Sequence, residues 1–339
     1  MLKDIYCKNL GPLENVSWTN LGKINLIIGN NASGKTFLLK ALYCAVKTIE
    51  GTSRGNNPLK AEEILAERLF WTFQPGKIGL GELVTKGKNS LEIQLHGQKR
   101  GSTFSFHFGS STEKKISTLQ NSFSTREQNS IFLPAKEVLS LFHIIKKSRD
   151  IDHSFGFDDT YLDLVRALEI EPTMGRNYES FAKSRKDLEQ ILDGRIVFEN
   201  NEWAFKKGNS RFSIHTASEG IKKVSILDRL LGNRYLSDDS VVFIDEPESA
   251  LHPEALTKFM DIVAELARAG IQFFIATHSY FVIKKLHLIS KTQKQSIPFL
   301  SIGKDKNISY DNLLDGLPEN PIIRESIRLY EEEVELSFQ

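Results

Sequence analysis

The stretch Gly29-Asn30-Asn31-Ala32-Ser33-Gly34-Lys35-Thr36 constrains this chain more than any other, because an apolar run, Ile24 to Ile28, leads into it and a helical pattern follows. It matches GxxxxGK followed by Ser or Thr in full, the pattern of a phosphate-binding loop. Phosphate oxygens need backbone N–H groups that approach closely, which Gly29 and Gly34 permit, and a helix N-terminus facing the anion. Leu38, Leu39, Leu42, Ala45 and Val46 recur at three- and four-residue spacing, so a helix is expected where the loop ends. Lys35 would reach the β- and γ-phosphates, and the Thr36 hydroxyl would ligate magnesium.

The 339 residues leave room for two domains, or for one nucleotide-binding core with an insertion. No apolar run is long enough to cross a bilayer, and the N-terminal Met1-Leu2-Lys3-Asp4-Ile5 reads as the start of a strand rather than a signal peptide. Cys7 and Cys44 show neither metal-ligand nor disulfide spacing, which suits a reducing, cytoplasmic setting. The formal net charge of +1 argues against a dedicated basic nucleic-acid surface and leaves a local patch open.

Along the chain, residues 1 to 28 read as two or three antiparallel strands, followed beyond the loop helix by a polar connection, Gly51 to Pro58. A helix is expected over Ala61 to Phe73. Leu91, Ile93, Leu95 and then Phe104, Phe106, Phe108 alternate strictly, which predicts a β-hairpin. Ser110 to Ser130, rich in Ser, Thr, Asn and Gln, reads as a surface linker. Beyond the strand ending at Leu133, residues 135 to 192 read as a helical insertion, with Val138, Leu139, Phe142 and Ile145 as one stripe. The expected division is therefore 1–134, carrying the loop and hairpin; 135–192, the insertion; and 193–339. From Ser218 the order becomes helix, strand, helix, strand, implying right-handed crossovers and a largely parallel sheet.

The strand Val241 to Ile244 ends in Asp245-Glu246, placing two carboxylates where doubly wound sheets hold their ligands. Asp245 suits magnesium, directly or through its water, and Glu246 suits activation of an attacking water.

With those elements in place the chain resembles the ABC-type ATPases, in the soluble branch of chromosome-maintenance and recombination-repair heads and OLD-type ATPases. The resemblance rests on GNNASGKT at 29–36, TASEGIKK at 216–223, VVFIDEPESALHPE at 241–254 and FFIATHS at 273–279. It implies an α/β P-loop NTPase head with a β-rich N-terminal lobe, using ATP and Mg2+. It further implies that Asp245 and Glu246 are the magnesium and catalytic-base pair, and that His278 is a switch histidine at the γ-phosphate. Ser218 and Gly220 stand at the signature position, which would complete the opposite site when two heads sandwich two nucleotides as a homodimer or higher oligomer. Of the LSGGQ ideal only those two residues remain, and Ser218 also serves as a plain helix N-cap.

For the glutamine-bearing loop of such heads, Gln74 has the right side chain but precedes the hairpin. The strand Ile131 to Leu133 has the more suitable position and delivers Lys136 and Glu137, and Glu137 is the residue retained. Asp152, His153, Asp158, Asp159 and Asp163 are not read as a metal cluster, because Asp159-Thr160 ahead of an apolar helix is ordinary capping. Three tasks stay open: an ATP-hydrolysing switch or motor in DNA maintenance or anti-phage defence, with a separate effector protein; a slowly or non-hydrolysing nucleotide-gated scaffold; and, ranked lower by the OLD-like motif context, a transporter head. OLD-type nucleases carry their cutting domain after the ATPase core. The stretch after His278 reads as a strand, a short connection and one helix, so any cleavage is expected from a partner, docked on the insertion together with the polar stretch Ser110 to Ser130.

Overall fold

A computed structural model describes residues 1–52, 54, 59–172, 179–303 and 306–338. Of the expected Gly51 to Pro58 connection, Ser53 and residues 55–58 lie outside the described residues.

Two sheets enclose the helix that follows the loop. The first is antiparallel: β1 (Leu2–Leu10) pairs with β2 (Leu13–Trp18), and β3 (Ile24–Gly29) leaves for the second sheet. Helices α1 (Lys35–Gly51) and α2 (Ala61–Phe73) follow, and then the hairpin of β4 (Ser90–Gly97) and β5 (Thr103–Gly109). Leu91, Ile93 and Leu95 lie opposite Phe108, Phe106 and Phe104, so the alternation puts all six side chains on one buried face.

Ser110 to Ser130 is not the expected linker. It carries β6 (Thr118–Asn121), the edge of this sheet, while Ile116 is buried and the Glu113 and Thr112 carbonyls accept from Leu80 and Gly81. An edge strand with exposed side chains gives no apolar alternation to read, because its backbone alone does the pairing.

The second sheet has the order β14-β13-β3-β12-β11-β7. Its members are β7 (Ile131–Leu133), β11 (Val241–Asp245), β12 (Gln272–Thr277), β13 (Pro298–Ile302) and the antiparallel edge β14 (Ile308–Asn312), together with β3. The four strands β3, β11, β12 and β13 are buried on both faces, which is why they read as continuous apolar runs. Ile27, Phe243 and Phe274 face α1 and the antiparallel sheet; Leu26, Ile28, Val242 and Ile275 face the opposite core.

That opposite core takes in described parts of the segment 135–192. It contains α3 (Phe142–Lys146), continued by a π-helical turn, then α4 (Asp159–Glu169) and α5 (Glu179–Leu192). Val138, Leu139, Phe142 and Ile145 are buried against α4 and against Trp203 of a small sheet, β8 (Arg195–Glu199), β9 (Glu202–Lys207) and β10 (Ser210–Ser213). Helices α6 (Glu219–Gly232), α7 (Pro253–Arg268) and α8 (Tyr280–Gln293) cover the same face, and α9 (Pro321–Ser337) closes the described chain.

Candidate nucleotide-binding site

Three neighbouring parallel strands bring the expected residues to one edge. β12 lies between β3 and β11, with Ile28 opposite Thr277 and Asp245 opposite Ala276, so Gly29, Asp245 and His278 leave the sheet at nearly one level. This is the carboxyl end of a parallel sheet, where α/β folds bind ligands.

The loop itself is tightly specified. Gly34 is the N-cap of α1 at φ 105°, a left-handed backbone, and a Cβ there would meet Pro12 at 2.8 Å. A Cβ on Gly29 would meet the Ser33 hydroxyl at 2.7 Å. Ser33 Oγ is buried without a hydrogen-bond partner, and the Lys35 ammonium donates to the Gly29 and Asn30 carbonyls at 2.7 and 2.9 Å. Burial lowers the Lys35 pKa, against the pull of Glu246 and Asp245. An orphaned hydroxyl and a cation held only by carbonyls, in a cavity of about 490 Å³ lined by Asn31 to Thr36, Phe73 and Glu246, fit a polyphosphate.

The Thr36 hydroxyl lies 3.0 and 2.9 Å from the two carboxylate oxygens of Asp245. Burial raises the Asp245 pKa, and the Thr36 hydrogen bond opposes the rise. A hydroxyl and a carboxylate in contact are a hard-oxygen donor set, which suits magnesium that also keeps waters and phosphate oxygens.

Glu246 turns the chain sharply: its φ is 47°, its N–H donates to the Ala276 carbonyl at 2.9 Å, and its carboxylate lies 3.2 Å from His278 Nδ1. Two residues that the sequence reading left without a role hold this turn. Glu248 Oε1 accepts from Thr277 Oγ1 at 2.8 Å and from the His278 N–H at 2.9 Å, and lies 3.4 Å from His278 Nδ1. The imidazole thus stands between two carboxylates. Lys223, on α6, donates to the Glu246 carbonyl at 2.6 Å, and burial pushes its pKa down to about 8. The available signals were an acid two residues beyond Glu246 across Pro247, and a second lysine in Lys222-Lys223.

Ser218 is the N-cap of α6, accepting from the Ile221 N–H at 3.3 Å, and Gly220 packs where a Cβ would meet the Ala250 carbonyl at 3.0 Å. Neither lines the cavity at the loop. Glu137 accepts from the Ser140 N–H at 3.0 Å and lies 3.7 Å from Lys222, beside a separate cavity of about 280 Å³ that Lys223 also lines. Gln74 bonds to Gly156 and Phe157 ahead of α4.

The acidic group near α4 is an ion network. Asp158 caps α4 and pairs with Lys40 at 2.6 Å; Asp159 meets Arg149; Asp163 is shared by Arg68 and Tyr43. Among the described residues no three His, Cys, Asp or Glu side chains group to hold a metal.

The chain matches the family described as "AAA domain, putative AbiEii toxin, Type IV TA system" over residues 24–284, from β3 into α8. It therefore belongs to that family of AAA-type P-loop ATPases. Among solved structures it is similar to an Smc head bound to the C-winged helix domain of ScpA, with TM-score 0.51 and 13% identity, covering 92% of this chain and 97% of that one. It is also similar to the Pyrococcus furiosus Smc head with an extended coiled coil, bound to the C-terminal domain of ScpA, with TM-score 0.50, 12% identity and 98% of both chains covered. The fold is thus that of an Smc-type head domain. A curated relative, Uncharacterized protein MJECL10 of Methanocaldococcus jannaschii, is 30% identical over 95 residues, 28% of this chain. The match covers 41% of that relative's length. Among the described residues no helix is long and apolar enough to cross a membrane.

Proposed function

We propose that this chain binds Mg-ATP and hydrolyses it, and that nucleotide binding drives association of two heads. The contact of Thr36 with both oxygens of Asp245, beside the Lys35 ammonium, carries the reading, because those three groups match the needs of a metal-bound triphosphate. Lys35 exchanges two carbonyl partners for phosphate oxygens. Thr36 and Asp245 would hold magnesium, which when bound neutralises charge on the phosphates. Glu246 accepts the proton of the attacking water, while His278, between Glu246 and Glu248, offers its ring to the terminal phosphate.

Ser218 is exposed and lies outside the cavity at the loop, so a nucleotide touching it would belong to a second head. The family description names a toxin of a type IV toxin–antitoxin system, and we place the chain in cytoplasmic defence or DNA maintenance with a separate effector protein, nucleic acid being a candidate stimulus. The test is phosphate release by purified protein with magnesium, with and without DNA. Lys35→Ala should abolish it, and wild-type turnover equal to that of Lys35→Ala would reject hydrolysis. A nucleotide-gated scaffold is the second reading, favoured by the signature segment Ala217 to Ile221, which keeps only Ser218 and Gly220 of the ideal. It predicts tight ATP binding with no phosphate release.

A further inference from the structure

The cavity at the loop is chemically different at its two ends. Lys35, Thr36 and Glu246 mark one, the corner that phosphates and magnesium occupy in the reading proposed above. The other is apolar and aromatic: Pro12, Phe37, Thr72 and Phe73 line it, and both phenylalanines are half-buried. Phe37 follows Thr36 directly in α1, yet its ring lies against the turn between β1 and β2, where a Cβ on Gly11 would meet it at 2.7 Å. Phe73, the last residue of α2, packs on that ring with centroids 4.5 Å apart and planes at 49°.

These two rings are held in place from both sides. The Gly11 N–H donates to the Leu83 carbonyl at 2.7 Å and the Thr85 hydroxyl donates to the Gly11 carbonyl at 2.7 Å, which pins the turn beneath Phe37. Gln74, the C-cap of α2, donates to the Phe157 carbonyl and accepts from the Gly156 N–H, both at 3.0 Å, and so fixes the end of the helix that carries Phe73. Polar groups at this end are used or closed off. Both backbone groups of Gly11 are bonded, Pro12 has no N–H, Lys40 is paired with Asp158 at 2.6 Å, and the Thr72 hydroxyl is buried. Aromatic faces without a free polar group beside them suit a flat ring that stacks.

We propose that Phe37 and Phe73 hold the nucleobase by stacking alone, so that this site favours purines over pyrimidines by ring size and takes guanine nucleotides as readily as adenine nucleotides. The stack rests on the nucleotide reading of the loop and adds to it what selects the base. Adenine and guanine differ along their hydrogen-bonding edges, and telling them apart by a large factor needs a buried donor or acceptor that one satisfies and the other leaves unpaired. Among the described residues lining this end, none offers such a group.

Calorimetric titration of the full chain in magnesium with ADP, GDP, CDP and UDP, and with inorganic tripolyphosphate as a probe without a base, tests the stack. ADP and GDP should bind within about threefold of each other, and CDP and UDP about fivefold or more weakly. Phe73→Ala should weaken ADP and GDP by about tenfold, the scale of one base–aromatic stack, and leave tripolyphosphate unchanged, which also shows the loop intact. Phe73→Tyr should bind ADP as the wild type does. Phe73→Leu, which keeps an apolar side chain on Phe37 without the aromatic face, should lose ADP affinity in the same sense, and it serves if the alanine variant does not fold. A preference of about tenfold or more between ADP and GDP, an ADP affinity indifferent to these variants, or an equal loss for tripolyphosphate would each overturn the proposal. Tripolyphosphate binding as tightly as the nucleotides would overturn it and leave the phosphate loop standing. If no probe bound, the nucleotide reading itself would fall.

Discussion

The hydroxyl of Thr36 and the carboxylate of Asp245 meet at 2.9 and 3.0 Å, although 209 residues separate them in the chain. The contact is set by β3 and β11 lying on either side of β12, so the first residue pair of α1 and the last residue of β11 share one corner. Burial drives the Asp245 carboxyl upward, and Thr36 is the largest influence holding it down. A divalent ion in that corner would deepen the second effect.

Asp245→Asn keeps the volume and the Thr36 hydrogen bond while removing the charge that would hold magnesium. Phosphate release should fall by about 10²-fold or more, and ATP binding should lose its dependence on magnesium. Titration of a fluorescent ATP analogue with and without chelator measures this. Wild-type magnesium dependence in the variant would remove Asp245 from the metal site.

Glu246→Gln should retain ATP and slow release by about 10²-fold or more, the usual scale for losing a general base. With hydrolysis blocked, ATP should trap the associated heads, visible as a mass increase by light scattering. A variant that turns over at the wild-type rate would assign the base elsewhere.

Glu248 is the acceptor for Thr277 Oγ1 and the His278 N–H, and the second carboxylate at the imidazole. Glu248→Ala should cost about 1–3 kcal/mol in denaturant unfolding, because donors lose a partner at a poorly solvated site. It should also lower kcat more than it changes ATP affinity, since His278 would lose its orientation while the loop stays intact. Equal losses in kcat and in ATP affinity would mean that Glu248 supports the whole site rather than the histidine.

Asp159 and Asp163 sit in one network and should respond oppositely. Asp163 is held below the usual range by Arg68 and Lys47 despite its burial, and Asp163→Asn should cost about 1–3 kcal/mol, since Arg68 is left with Asp159 alone at 3.6 Å. Burial, then Asp163, pushes Asp159 up to about 6 from 3.8. The folded state therefore binds the Asp159 proton more tightly than the unfolded chain does, so this group's contribution is present at low pH and lost as pH rises through about 6. Asp159→Asn should change stability at pH 7 by about 1 kcal/mol or less and flatten the stability profile between pH 4 and pH 6. Urea midpoints across that range decide it.

Legibility in the sequence follows the range of the interactions. The loop, α1 and the β4–β5 hairpin are local: Gly34 needs a positive φ, and Leu91 to Phe108 alternate because neighbouring strands share one buried face. The continuous apolar runs of β3, β11 and β12 likewise announce strands buried on both sides. By contrast β6 carries no side-chain pattern, since its role is performed by backbone groups, and its polar residues imitate a linker.

At the candidate site, Lys35, Thr36, Asp245 and Glu246 could be named from residue type and spacing, because a phosphate loop and an acidic strand end are each built from consecutive residues. The partners Glu248 and Lys223 could not. Lys223 reaches Glu246 only because α6 packs against the turn after β11, and Glu248 reaches His278 only because β12 lies beside that strand. Segment 135–192 reads as an insertion from its helical periodicity, yet Val138, Phe142 and Leu164 complete the same core as Ile244 and Ile275. Periodicity reports which face of an element is apolar. Which other face it meets depends on sheet order and chain return, and those are set by the summed packing of elements far apart in the chain.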